Sequence, residues 1–407
     1  MLSYPEALAR LLAAAVPVSE ICTQPLFAAT GRVLAQPQFS RVAVPSLDNS
    51  AMDGYAVRAA DVSAPGICLP VTQRLPAGCV GQALQPGSAA RIFTGAPLPP
   101  GADAVVMQEL CEPGADGVIL RHVPKVGENI RRRGEDMQEG EEILAAGTLL
   151  RPQEISLAAS AGLAELPVRR RLEVAVLSTG DELVEPGQPL PPGGVYDANP
   201  FALVGLLKSL GCEVRAPLRI PDDLEATRAA LCQAAAENDL ILTSGGVSVG
   251  EEDHVKRAVQ AEGRLDLWRV AIKPGKPLAL GRLRRPETAA GPGGMAWFIG
   301  LPGNPVSAFV SFLVLVRPFI QRLQGRTVRP LQAYRLPAAW RWSEASPLHE
   351  FLRVRRDAEG RLEAFPNQGS GVLSSLVWSE GLAIKPPHAC IEPGDLVDFL
   401  PFAELLS

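Results

Sequence analysis

The chain has 407 residues, of which 47% are hydrophobic and 20% are charged. Such a length exceeds what one hydrophobic core usually serves, and such a composition is typical of folded globular proteins, so we expect several domains. A formal net charge of −5 provides no general attraction to nucleic acid or to anionic lipid, which excludes both as expected partners.

Three further patterns exclude whole classes of protein. The longest apolar run, residues 308–316, is too short for a membrane span, which needs about 20 residues, so no span is expected. Seven scattered cysteines fit neither a disulfide framework nor a zinc ribbon, and they indicate reduced thiols in a cytoplasm. With four histidines and no HExxH motif, any bound cation should be hard and oxygen-ligated.

The first 170 residues predict a β-rich domain inserted into a helical one. Residues 1–40 carry apolar side chains at helical spacing, and residues 152–163 again favour a helix. Between them, residues 41–140 contain short β-prone runs separated by proline and glycine. We therefore expect a discontinuous helical and linker domain of residues 1–40 and 141–170 around a β-rich domain of residues 41–140.

From residue 171 to residue 328, strands and helices alternate, which predicts an α/β domain with a doubly wound, mostly parallel sheet. Asn199 and Asp222 are expected to cap two of its helices. Alternating apolar runs then predict a β-barrel-like C-terminal domain of residues 329–407. The expected fold class is therefore multidomain α/β plus β.

Glycine-bearing loops follow three of these strands, and they are residues 178–182, 244–253 and 300–305. In a parallel sheet, the loops at the carboxyl ends of strands converge with helix N-termini, whose free N–H groups attract anions. A tight turn would explain any one such loop, since neither GxxxxGK[ST] nor GxGxxG occurs. Three of them at one edge favour an anion site.

A lysine pair and four acids lie at the same predicted edge. Residues 271–277 hold Lys273 and Lys276 among prolines, an arrangement that suits a phosphate or another oxyanion, with ordinary surface lysines as the alternative. The acids at loop or helix-start positions are Glu182, Asp222, Asp223 and Asp253. Because Mg²⁺ prefers one or two carboxylates plus phosphate oxygens, this set predicts a Mg²⁺-assisted nucleotide-phosphate site.

The β-rich domain contributes a second group of polar loops. Asp48 and Asp53 share one short loop. Thr94 follows a β-prone run, and Arg131 and Asp136 lie in an arginine-rich turn. Each of these loops is also compatible with an ordinary structural turn or a solvated face, so alone they define no chemistry.

Seven segments together resemble the MoeA-type molybdopterin molybdenumtransferases. In chain order they are DNSAMDGYA (48–56), RIFTGAPLP (91–99), ENIRRRGED (128–136), STGDEL (178–183), SGGVSVGEED (244–253), AIKPGKP (271–277) and GLPGNPVSA (300–308). The resemblance implies an L-shaped homodimer of four-domain subunits, with a cleft between the α/β domain of one subunit and the β-rich domain of the other. It also implies a reaction in which adenylylated molybdopterin and molybdate give molybdenum cofactor and AMP.

Carried over position by position, the resemblance implies roles for individual residues. The expected catalytic residues are Asp53, Asp136, Glu182 and Asp253. Glu182 and Asp253 are also expected to hold Mg²⁺. The expected substrate-binding residues are Thr94, Arg131, Asp222, Asp223, Ser244, Gly245, Gly246, Ser248, Lys273, Lys276, Ser307, Arg353 and Ser370.

Two alternative functions remain open. The α/β domain alone also resembles molybdopterin adenylyltransferases, which are in addition a candidate partner. Related domains in animals act as dimeric scaffolds that cluster membrane receptors. The β-rich domain with Asp53 and Asp136, which a lone adenylyltransferase lacks, favours the molybdenumtransferase, and the intact acidic loops argue against a scaffold.

Overall fold

The computed structural model describes residues 1–246, 254–286 and 294–406. The chain divides into two compact units. The larger unit combines Met1–Cys22 with Arg169–Ser407, and the smaller unit is Thr23–Val168. The division into four domains stays a prediction.

The smaller unit is rich in strands, as the sequence predicts for its central part. One buried core joins its four-stranded and three-stranded sheets and includes Val57, Val106 and Leu120. Every second side chain of such a strand faces the core, and β-branched residues pack well there. The strands are Gln38–Phe39, Asn49–Ser50, Gly54–Val57, Ile67–Leu69, Val71–Leu75, Ala89–Ile92, Ala104–Met107, Cys111–Gly114, Gly117–Leu120, Ile130–Arg131 and Glu142–Leu144; the helices are Leu26–Ala29 and Pro152–Ser160.

A seven-stranded sheet forms the centre of the larger unit. Its parallel part consists of Glu213–Val214, Leu218–Ile220, Glu173–Thr179, Leu240–Ser244 and Met295–Leu301. Two further strands, Pro277–Arg284 and Gly263–Arg269, extend the sheet through antiparallel pairings. The sheet is thus mostly parallel, as predicted, with an antiparallel extension at one side.

Helices cover both faces of this sheet, as expected for a doubly wound domain. Along the strand Glu173–Thr179, Val174 and Val176 belong to one core while Ala175 and Leu177 belong to the other. This alternation follows from the two-residue period of a strand. The main helices are Tyr4–Ala14, Asn199–Ser209, Leu224–Glu237, His254–Glu262 and the helical run Pro305–Leu323.

The helical run Pro305–Leu323 is long and apolar enough to cross a membrane by length and composition, yet 89% of its most apolar stretch is buried inside the protein. It is therefore a core helix. Five π-helical residues, Phe312–Val316, precede Pro318. A wider turn at this place accommodates the ring and the missing N–H of a proline within a helix.

A six-stranded sheet fills the C-terminal part of the larger unit. Its strands are Ile272–Lys273, Tyr334–Pro337, His349–Arg356, Leu362–Ala364, Gly381–Lys385 and Leu396–Pro401. The strand Tyr334–Pro337 is followed by Ala338, which forms a parallel bridge with Leu362 in a strand that pairs with His349–Arg356. Through this short bridge the pairings return to the strand where they began. Ile272–Lys273 pairs in parallel with His349–Arg356, which fixes the predicted lysine segment against this sheet.

Candidate functional site

Four loops of the larger unit line a cleft of about 550 Å³. Two of them belong to the predicted glycine-bearing loops 244–253 and 300–305, the third is the lysine segment 271–277, and the fourth, residues 368–370, comes from the C-terminal part of the chain. Of the predicted site residues, the cleft brings together Gly245, Gly246, Lys273, Lys276, Ser307 and Ser370. Two of the three glycine-bearing loops and the lysine segment therefore line one cleft, whereas the third predicted loop, residues 178–182, is not among the described residues that line it.

The lysine segment lies directly on the helix that begins at Pro305. Gly275 has a φ of +106°, and a Cβ at this position would lie 2.2 Å from Ser311 Oγ and 3.3 Å from the carbonyl oxygen of Ser307. Only glycine fits both the backbone conformation and the close approach. This packing places the buried Ser307 beside the two lysines.

Asn199 connects two loops of the cleft, a role that the sequence does not predict. It is the first residue of the helix Asn199–Ser209 and does not cap it. Its Nδ2 instead donates to Ser244 Oγ at 2.5 Å and to the carbonyl oxygen of Gly303 at 2.7 Å. The predicted Ser244 is buried and thus supports the loops rather than lining the cleft.

Arg353 is 1% exposed and lies beneath the fourth loop. Its guanidinium donates to the carbonyl oxygen of Gly369 and to Ser375 Oγ, each at 3.2 Å. Burial lowers the pKa of Arg353 to about 10, so the group is still charged at neutral pH. In the same loop, the carbonyl oxygen of Ser370 accepts from the N–H of Val306 at 3.0 Å. Arg353 therefore positions the loop that carries Ser370.

The two lysines have different surroundings. Lys276 is exposed. Lys273 Nζ lies 3.3 Å from Glu350 Oε2 and 5.9 Å from the centre of the Trp342 ring. Glu350 Oε1 in turn accepts from Lys385 Nζ at 3.0 Å. Lys273 is thus held in place by its neighbours, and Lys276 is available to a ligand.

Asp222 and Asp223, which follow the strand Leu218–Ile220, have different environments. Asp223 Oδ1 accepts from the N–H of Ala226 at 2.8 Å and caps the helix Leu224–Glu237. The predicted cap was Asp222, which is wrong by one residue. Asp222 instead accepts from Thr179 Oγ1 at 3.4 Å, and its N–H donates to Asp181 Oδ1 at 3.1 Å. Asp223 has a structural use, whereas Asp222 is exposed at the edge.

Among the described residues, no group of three or more His, Cys, Asp or Glu side chains could hold a metal ion. Glu182 is exposed, and Ser248 and Asp253 lie outside the described residues. Mg²⁺ needs only one or two protein carboxylates when phosphate oxygens and waters complete its shell. Exposed carboxylates at the sheet edge therefore fit an ion that binds together with a phosphorylated substrate.

In the smaller unit, Asp53 and Thr94 form a hydrogen-bonded pair. The backbone N–H and the hydroxyl of Thr94 both donate to Asp53 Oδ1, each at 2.8 Å. These two bonds, and to a smaller extent the nearby charge of Arg91, hold the pKa of Asp53 below its ordinary value. Arg91, which begins the segment 91–99 but is not among the predicted site residues, also lies 5.1 Å above the Tyr55 ring. Asp53 is thus an ionised, oriented carboxylate at neutral pH.

The three polar loops predicted for this unit meet in the structure. Strand Ile130–Arg131 pairs with Asn49–Ser50, and the N–H of Gly95 donates to the carbonyl oxygen of Ser50 at 2.8 Å. Arg131 and Asp136 are both exposed. The loops of Asp53, Thr94 and Arg131 therefore form one polar surface.

Fold and cleft define the class of protein: a multidomain α/β protein with a lysine-lined cleft beside its mostly parallel sheet. Three family models match the chain in order. They are the MoeA N-terminal region (domain I and II) at residues 2–162, the "Probable molybdopterin binding domain" at residues 175–322, and the MoeA C-terminal region (domain IV) at residues 335–402.

Individual relatives agree with these matches. The molybdopterin molybdenumtransferase of Haemophilus influenzae is 40% identical over 93% of each chain, and that of Synechococcus elongatus is 36% identical over 95% of this chain and 96% of its own. The crystal structure of a molybdopterin biosynthesis MoeA protein from Pyrococcus horikoshii OT3 superimposes with a TM-score of 0.82 at 28% identity, covering 98% of this chain and all of that one. The chain belongs to the MoeA family.

Proposed function

We propose that this protein inserts molybdate into adenylylated molybdopterin, with release of AMP, and so completes molybdenum cofactor. The observation that carries the proposal is the cleft of the larger unit, in which Lys273, Lys276 and Ser307 converge. Ammonium and hydroxyl donors of this kind suit a tetrahedral oxyanion. The names of the relatives, molybdopterin molybdenumtransferases, indicate which oxyanion it is.

The cleft would act first by binding and orientation. Lys273 and Lys276 supply positive charge, while Ser307 and Ser370 supply hydroxyl donors beside glycine backbone that lets a ligand approach closely. Holding molybdate next to the dithiolene of the substrate turns a bimolecular encounter into a step within one complex. Arg353 contributes by fixing the loop of Ser370.

The carboxylates would serve cleavage of the phosphoanhydride that links AMP to the pterin. Asp53 is ionised and oriented by Thr94, so it is suited to accept a proton from, or align, the attacking oxygen. Asp136 and Arg131 complete this acidic and basic surface. Glu182 and Asp253 would hold Mg²⁺, which when bound neutralises phosphate charge and polarises the phosphoanhydride. Mg²⁺ dependence is part of the proposal.

The experiment combines purified protein, adenylylated molybdopterin, Mg²⁺ and molybdate, and follows AMP and active cofactor over time. Wild type should release AMP, and Asp53→Ala should release it at least about a hundredfold more slowly, as loss of a general base usually does. Asp116→Ala is the matched control, since Asp116 is an exposed acid in a turn of the same unit. Equal rates for wild type and Asp53→Ala would refute the mechanism.

The same preparation separates the two other functions. An adenylyltransferase would convert molybdopterin and ATP to adenylylated molybdopterin and pyrophosphate, which the proposal does not predict. A pure scaffold would neither form adenylylated molybdopterin from ATP nor release AMP from it.

We further propose that the protein works in the cytoplasm as a homodimer whose two subunits share each cleft. The support for this is the family resemblance together with the presence of two polar surfaces, one in each compact unit. Lys273→Ala and Asp53→Ala would each be inactive alone. When the two variants are mixed and exchange subunits, about half of the dimers contain one subunit of each variant. If the cleft is shared, one of the two sites in each such dimer has both Lys273 and Asp53, so about a quarter of wild-type activity returns. No recovery on exchange would contradict a shared cleft.

A further inference from the structure

A buried carboxylate lies between two lysines behind the cleft. Glu350 and Lys385 are both 0% exposed, and Glu350 Oε1 lies 3.0 Å from Lys385 Nζ. The other oxygen, Oε2, lies 3.3 Å from the Nζ of Lys273, whose side chain is 42% exposed. The row therefore runs from the protein interior to the cleft: Lys385, Glu350, Lys273.

The strands fix this row. Lys273 and Glu350 are partners in the parallel pairing of Ile272–Lys273 with His349–Arg356, and Glu350 and Lys385 are partners in the antiparallel pairing of the next strand. Cross-strand partners lie about 5 Å apart, so the three side chains are neighbours because of the sheet itself. A change at Glu350 therefore acts on the lysine of the cleft.

Stability alone does not account for this arrangement. A fully buried ion pair loses its hydration, and replacing such a pair by apolar residues of similar size is often neutral or stabilising. Among the described residues, no hydrogen bond reaches Glu350 Oε2, so its polar neighbour is the ammonium of Lys273. Lys385 compensates the buried charge of Glu350 and leaves Oε2 free to act on Lys273.

We propose that Glu350, held by Lys385, is a positioning residue that keeps the ammonium of Lys273 directed into the cleft for oxyanion binding. Glu350 orients Lys273 through its carboxylate. Because the three side chains together carry a net charge of +1, the site still attracts an anion. The anion is taken to be molybdate on the basis of the proposed function. Trp342, over which Lys273 lies, limits the other side of the ammonium.

The test uses sodium molybdate alone, with binding to the full-length protein measured by titration calorimetry. Glu350→Met combined with Lys385→Met removes both buried charges and keeps the net charge of the row at +1. Molybdate should bind about tenfold more weakly to this double variant, because one charge-assisted contact loses its orientation. The salt dependence of binding should stay that of wild type, because the net charge is unchanged.

A thermodynamic cycle with Lys273→Ala separates positioning from general damage. If Glu350 acts through Lys273, adding the double change to Lys273→Ala leaves molybdate affinity unchanged within about twofold. A further tenfold loss of molybdate affinity when the double change is added to Lys273→Ala would overturn the proposal. Wild-type affinity in the double variant, or no molybdate binding to wild type, would also overturn it. Wild type that binds molybdate but releases no AMP would instead contradict the proposed function only.

Discussion

Gly275 offers the sharpest test of how the cleft is built. In Gly275→Ala the new Cβ would lie 2.2 Å from Ser311 Oγ, at a φ of +106° that alanine rarely adopts. The backbone strain alone is worth about 1–3 kcal/mol, and the contact forces the loop or the helix to shift. We expect a loss of about 2–4 kcal/mol in the stability of the larger unit.

Differential scanning calorimetry would show this loss as a fall of about 4–7 °C in the transition of the larger unit, with weaker molybdate binding. Ser311→Ala removes the Oγ contact, and this hydroxyl has no hydrogen-bond partner among the described residues. The double variant should therefore recover part of the stability and keep the strain. Gly205→Ala, in a helix with open space around it, is the control and should be neutral or stabilising. Wild-type stability of Gly275→Ala would refute the packing argument.

Three further predictions concern acids and the core. Thr94→Val removes one of the bonds that lower the pKa of Asp53, so that pKa rises and the acid limb of the pH–rate profile for AMP release moves to higher pH. Asp223→Ala should cost about 1 kcal/mol in thermal unfolding through loss of a helix cap, whereas Asp222→Ala should leave stability unchanged and slow AMP release. Phe298→Ala, at a fully buried position, should cost about 3–5 kcal/mol in urea unfolding. If the acid limb does not move in Thr94→Val, the role of this bond in lowering the pKa of Asp53 is wrong. Equal stabilities of the two aspartate variants would contradict the cap at Asp223. A loss under about 1 kcal/mol in Phe298→Ala would contradict the burial argument.

Much of the α/β architecture follows from the sequence, because alternating strands and helices leave few ways to build a sheet. The loops at its edge carry glycine, and two of the three predicted loops line the cleft together with the lysine segment. The direction of the strands Gly263–Arg269 and Pro277–Arg284 was not predictable, since a β-prone run has the same pattern in either direction.

Side-chain uses were harder to predict than loops. The cap at Asp223 rather than Asp222 depends on where the backbone enters the helix, which propensities locate only to within a residue or two. Arg353 and Lys385 are both buried because their partners, Ser375 and Glu350, come from other parts of the chain. Long-range pairs of this kind leave no local signal in one sequence.

In the proposed reaction, AMP release and molybdenum insertion are one event. This coupling is tested most directly by counting, in single-turnover reactions at increasing molybdate, the AMP released and the molybdenum incorporated into cofactor. We expect equal amounts at every concentration, with a rise with molybdate in wild type that Lys273→Ala does not show. AMP released in full without molybdate, and with no metal incorporated on its addition, would contradict it.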